Sequence, residues 1–90
     1  MMRRVNILVS GCVQGVYFRM FAQNKAKHFG IKGCAKNLPD GRVEIIAYGV
    51  HNSIENFIKW CRRGPITARV DNVEIIELES DEALTSFEIK

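Results

Sequence analysis

Between Gly11 and Arg19 the chain reads Gly-Cys-Val-Gln-Gly-Val-Tyr-Phe-Arg, a tight stretch with two glycines, no acidic residue and a terminal arginine. Glycine lets a backbone curl and approach a ligand closely. A guanidinium offers a fork of N–H donors suited to phosphate or carboxylate. The stretch therefore reads as an anion cradle. It is not a Walker loop, because no Lys-Ser/Thr pair follows the glycines. It also departs from the Cys-x5-Arg loop of thiol phosphatases, since six residues separate Cys12 from Arg19, one more than that spacing, and the offset aims thiol and guanidinium differently. Cys12 is read as a bystander on the loop, whose thiol a helix end and Arg19 would make easier to oxidise.

A cradle needs a strand to deliver it and a helix to receive it. Val5, Ile7 and Val9 alternate with Asn6, Leu8 and Ser10, which predicts a strand running into the loop. Phe18, Phe21, Ala22, Ala26 and Phe29 recur at helical spacing, so a helix opens at about Phe18 or Arg19 and stops at Gly30. Its N-terminus adds backbone donors to the loop. Val13, Val16 and Phe18 are expected as core beneath the loop.

Further along, Ile31 to Asn37 is a short strand followed by the Leu38-Pro39-Asp40-Gly41 turn signal, and Val43 to Val50 returns as a strand. Asn52 with Glu55 resembles a capping box, after which Ile54, Phe57, Ile58 and Cys61 mark a second helix ending at Gly64-Pro65. Val70 to Glu79 is a long strand pattern whose parity shifts between Val73-Ile75 and Ile76-Leu78, predicting a bulge or twist there. Phe87 and Ile89 form a last short strand. The order is β-α-β-β-α-β plus a C-terminal strand. That is the α+β, ferredoxin-like split βαβ sandwich, expected as an antiparallel sheet with two helices on one face. In that topology the first two strands flank the third, so their C-terminal ends share one sheet edge, roughly 10 Å apart. Asn37 thereby meets an anion held between Gly11 and Arg19.

Ninety residues allow a single domain, residues 1–90, with no repeat or linker. The net charge of +3 would attract a small anion, yet the basic residues are scattered and fall short of a nucleic-acid-binding stripe. The three cysteines fit no paired spacing, which argues for a reducing, cytoplasmic compartment over a disulfide framework. No Cys/His cluster suggests a metal. The apolar run after Arg3-Arg4 is too short and too polar for a signal peptide, and none is long enough to span a membrane. His28 and His51 read as helix-surface and helix-entry residues, and Trp60 as core edge.

These residues resemble the acylphosphatase family. Its first motif, G-x-V-Q-G-V-x-F-R after an aliphatic residue, is complete from Val9 to Arg19. Its second is matched by Gly33-Cys34-Ala35-Lys36-Asn37 with Gly41, Val43 and Gly49. Cys34 departs from it, standing where the family has an aromatic, and its expected effect is a lost packing group beside the site. The resemblance implies hydrolysis of a carboxyl-phosphate bond, with Arg19 binding phosphate and Asn37 orienting the attacking water. The loop backbone of Cys12, Val13, Gln14, Gly15, Val16, Tyr17 and Phe18 would complete the phosphate site, and Gln14 is otherwise left as a structural side chain. No cofactor and no metal are expected. The partner is a small acyl phosphate, with neither nucleic acid nor membrane, and the chain is read as a monomer.

Two alternatives stay open. One is a noncatalytic phosphate or anion-binding module, which the same scaffold can host. The other is cysteine-dependent phosphatase chemistry at Cys12. RNA reading is disfavoured, because Lys32-Gly33-Cys34-Ala35-Lys36 lacks the aromatics that such a sheet stacks on bases.

Overall fold

The computed structural model describes residues 1–79 and 86–90. The elements are β1 (Met2–Cys12), α1 (Phe18–Phe29), β2 (Lys32–Asn37), β3 (Val43–Val50), α2 (His51–Arg63), β4 (Arg69–Leu78) and β5 (Phe87–Ile89). One five-stranded sheet has the order β4-β1-β3-β2-β5.

Alternation decides which way each strand faces. Val5, Ile7 and Val9 of β1 and Val43, Ile45 and Ala47 of β3 are fully buried on one face, which both helices cover. From α2 come Ile54, Phe57, Ile58, Trp60 and Cys61, and from α1 come Phe18, Ala22 and Ala26. Trp60 lies deeper than a core edge, at 7% exposed, tilted against Phe18 and stacked on Phe57. Gly30 closes α1 in the left-handed conformation, as expected of a glycine C-cap.

Four expectations need correcting. First, β1 extends through Gly11 and Cys12, which pair with Val70 and Arg69 of β4, so the loop proper begins at Val13. Second, the sheet is mixed: β5 lies parallel to β2, with Gly33 N–H donating to Ser86 and Lys90 N–H to Ala35. Third, the capping box does not form. Asn52 lies inside α2, whose N-cap is Val50 with no side-chain cap, and Glu55 instead pairs with Arg3 at 2.6 Å.

Fourth, the β1–β4 register runs unbroken through Ile75 and Ile76, and it shifts instead between Ser10 and Gly11, where Asp71 of β4 is the extra residue. The parity change at Ile76 has another cause. Val73 and Ile75 face the helices, while Ile76, opposite Asn6, lies on the uncovered face and is 43% exposed.

Candidate active site

The strand order puts β1 and β2 on either side of β3, and both run antiparallel to it. Their C-terminal ends therefore meet at one edge. There Arg19 and Asn37 line a common cavity of about 360 Å³ with Val13, Gly15 and Phe18 of the loop. The two residues singled out from opposite ends of that topology are brought together.

The loop's shape follows from two positive φ angles. Gly15 takes φ 75°, and Tyr17, the N-cap of α1, takes φ 64°. Left-handed residues in a turn swing successive N–H groups toward one side and make an anion-binding concavity. Among the described residues none of the turn and cap hydrogen bonds uses the N–H groups of Gln14, Gly15, Val16 or Tyr17 as donors. The first turn of α1 carries no acidic side chain, so its positive end is not neutralised locally. Val13 and Phe18, each 1% exposed, anchor the loop in the core, and Val16 packs against it.

Gln14 has a definite role. Its Nε2 donates to the carbonyl oxygens of Leu38 at 2.7 Å and Arg42 at 2.9 Å, strapping the loop to the turn that follows Asn37. On the other side Thr67 Oγ1 donates to the Val16 carbonyl at 2.8 Å. Arg19 is tied to the end of β5: Nη1 donates to the main-chain oxygen of Lys90 at 2.6 Å. A guanidinium carries five donors, so Nε and Nη2 remain for a ligand. Gln23, one helical turn on, donates to the Phe87 carbonyl at 2.8 Å and docks β5 onto α1.

Cys12 does not line the cavity. It is exposed at the end of β1 opposite Arg69. Arg69, not Arg19, is therefore its basic neighbour, and a hydrogen bond to Asp71 raises the Arg69 pKa further. Cys34 alternates with the buried Gly33 and Ala35, so it lies on the face away from the helices, opposite Ile46 and not beside the site. Cys61 is buried, and desolvation raises its pKa, leaving an inert thiol.

Sequence reasoning missed Met20 and Ile89, which also line the cavity. Met20 follows the arginine and was available to a reading of the helix's first turn. Nothing local in the sequence marks Ile89, which arrives only through the parallel pairing of β5. Among the described residues the cavity lining contains no carboxylate, imidazole, amine or thiol. Among the described residues no group of three or more His, Cys, Asp or Glu side chains is placed to hold a metal ion. Nor is any described helix long and apolar enough to cross a membrane.

The comparisons with known proteins agree with the two motifs and the fold. The family model for acylphosphatase matches residues 5–89. The chain is 44% identical over 88 residues to an acylphosphatase of Methylococcus capsulatus, covering 98% of this chain and 96% of that one. Two solved structures superpose closely. An acylphosphatase from Coxiella burnetii has TM-score 0.94 at 36% identity, with 99% of this chain and 93% of that chain covered. The acylphosphatase from Bacillus subtilis has TM-score 0.94 at 37% identity, with 100% and 99% covered. With motif, topology and full-length likeness in accord, the chain belongs to the acylphosphatase family.

Proposed function

We propose that this chain hydrolyses the carboxyl-phosphate bond of small acyl phosphates, with the Gly15 loop and Arg19 holding the phosphoryl group and Asn37 orienting water. The reading rests on one observation. An arginine, an asparagine and a loop that turns through two left-handed residues share a cavity whose described lining offers no carboxylate, imidazole, amine or thiol.

That composition matches the demands of one leaving group. Water attacks phosphorus in line, the bond from phosphorus to the bridging oxygen breaks, and the electron pair leaves on the carboxylate. A carboxylate is stable as an anion near neutral pH, so no acid is needed to protonate it. The transition state is loose, with charge on the equatorial oxygens, which Arg19 and the loop N–H groups stabilise. The proton of the attacking water passes to a phosphoryl oxygen as inorganic phosphate forms. Asn37 supplies both an acceptor and a donor to hold that water. A phosphate monoester, whose alkoxide leaves poorly, would react far more slowly. The same reasoning makes the reaction independent of metal and cofactor, and it needs neither nucleic acid nor membrane. We read the working form as a cytoplasmic monomer.

The test follows hydrolysis of an aromatic acyl phosphate by absorbance, with and without chelator, beside Arg19→Ala. The expected result is chelator-resistant turnover that falls by about 10³ or more in the variant, with the fold retained. Full activity of Arg19→Ala would overturn the assignment, and loss of activity on chelation would overturn the metal-free route.

A further inference from the structure

Holding a phosphoryl group takes N–H donors and a cation. This cavity also has an apolar rim, built from three parts of the chain: Tyr17 in the loop, Met20 in the first turn of α1 and Ile89 in β5. All three are large side chains left open to solvent, at 70%, 45% and 40% exposure. Single exposed apolar residues need no explanation, but several gathered at one concave site mark a binding surface.

Tyr17 is the most telling of them. Among the described residues it is the only non-glycine with positive φ. That conformation costs an L-residue free energy that glycine avoids. Among the described residues the side chain finds no contact that repays it: it makes no capping hydrogen bond, is not in the core and stacks on no other ring. A glycine would make the same turn, as Gly15 does two residues earlier. A ring kept at this position against the backbone's preference, over the mouth of the cavity, is consistent with a role toward a ligand.

We propose that Tyr17, Met20 and Ile89 form an acyl-recognition wall that selects carboxyl phosphates bearing an apolar, above all aromatic, acyl group. The inference rests on the acylphosphatase reading above. With phosphorus held by Arg19 and the loop, the acyl carbon lies one bridging oxygen away, so its substituent emerges at the rim. Among the described residues the only charged group lining the cavity is Arg19, which the phosphoryl group occupies. The amine of Lys90 is turned to Glu88, at 3.5 Å. An acyl group carrying a second anion would therefore lose water and gain no partner.

The size of the preference follows from area. Fully burying the extra ring carbons of a benzoyl over an acetyl group would be worth roughly a thousandfold. A wall that covers one side of the ring returns about a third of that free energy, or roughly tenfold.

The experiment compares kcat/KM for benzoyl, acetyl and succinyl phosphate in the wild type, Tyr17→Gly, Tyr17→Asn, Met20→Gln and Ile66→Ser. The wild type is expected to favour benzoyl over acetyl phosphate about tenfold and to handle succinyl phosphate no better than acetyl phosphate. Tyr17→Gly should bring the benzoyl-to-acetyl ratio to within about threefold, and Met20→Gln should lower it by a smaller factor. Tyr17→Asn, which also tolerates left-handed backbone, separates loss of the ring from added chain freedom. Ile66, fully exposed and outside the cavity lining, is the control, and its serine variant should keep the wild-type ratio. A wild type with no benzoyl preference overturns the wall, as do Tyr17 and Met20 variants that slow both substrates by one factor. Failure to hydrolyse any of the three overturns the activity itself, which is a different result.

Discussion

Replacing Gln14 by alanine tests whether the cradle and Asn37 act as one body. Gln14 makes two hydrogen bonds, to the carbonyls of Leu38 and Arg42, across the gap between the loop and the β2–β3 turn. Each such bond contributes a net ~1 kcal/mol, and more when its loss strands a buried partner. Neither carbonyl is stranded here. The Leu38 carbonyl also accepts from Gly41 N–H at 3.1 Å, and the Arg42 carbonyl from Leu38 N–H at 2.8 Å. The cost therefore belongs at the low end, about 1 to 2 kcal/mol for the pair. In a domain this small that lowers Tm by about 5 to 10 °C.

The kinetic effect should exceed the thermal one. Asn37 immediately precedes Leu38, so loosening the strap lets the water-orienting amide drift from the phosphate loop. A misplacement of about 1 Å can cost on the order of a hundredfold. The expected outcome is a fall in kcat of ten- to a hundredfold, read with an acyl phosphate well below the melting range, and a smaller change in the inhibition constant of inorganic phosphate. A variant with the predicted drop in Tm and wild-type kcat would refute the positional coupling. Unchanged Tm would refute the strap.

Asn37→Ala should reduce turnover far more than phosphate affinity; equal losses in both would make Asn37 a binding group and not a water-orienting one. Gly33→Ala should cost well over about 3 kcal/mol, because the residue sits at φ 148° and a methyl there would be driven into the Ile46 carbonyl; denaturant melts within about 1 kcal/mol of wild type would contradict the packing. The hydrogen bond from Arg3 holds the Glu55 carboxyl below its ordinary 4.5. Stability from a depressed carboxylate is present above the unfolded value and lost as pH falls through the folded one. Glu55→Gln should thus lower Tm at pH 7, with the gap to wild type closing below about pH 4; a gap that persists in acid would assign the effect to packing.

The sequence carried the site further than it carried the sheet. Arg19 and Asn37 were legible because their neighbours are typed by conformation, glycines where the backbone must turn, and because strand order alone brings the ends of β1 and β2 together. The helical faces were legible too, since Ile54, Phe57, Ile58 and Cys61 repeat at a period that only burial explains. What escaped was whatever depends on a partner distant in sequence. Cys12 belongs to the strand because Arg69 pairs with it. Glu55 makes no capping box because α2 already begins at His51, which places Asn52 inside the helix, and it pairs with Arg3 from β1 instead. Ile76 faces outward on a sheet covered on one side only, so an apolar residue there imitates a register shift. Gln14 looked featureless because both of its acceptors are main-chain oxygens, which no side-chain pattern can announce.

The interior position of β1 in the sheet has a further consequence, for the order in which this molecule assembles. Its two neighbours are β3 and β4, and the latter pairing joins Arg4 to Leu78 across most of the chain. Closing so long a loop is entropically costly before any contact rewards it, and topologies of this kind fold slowly. Of the five described strands β1 is synthesised first, and it waits until β4 has followed α2 before its second edge is paired. The strand that launches the phosphate loop is thus made before β4 and completed only with it, and until β4 arrives one row of its backbone N–H and C=O groups is open to any other extended chain.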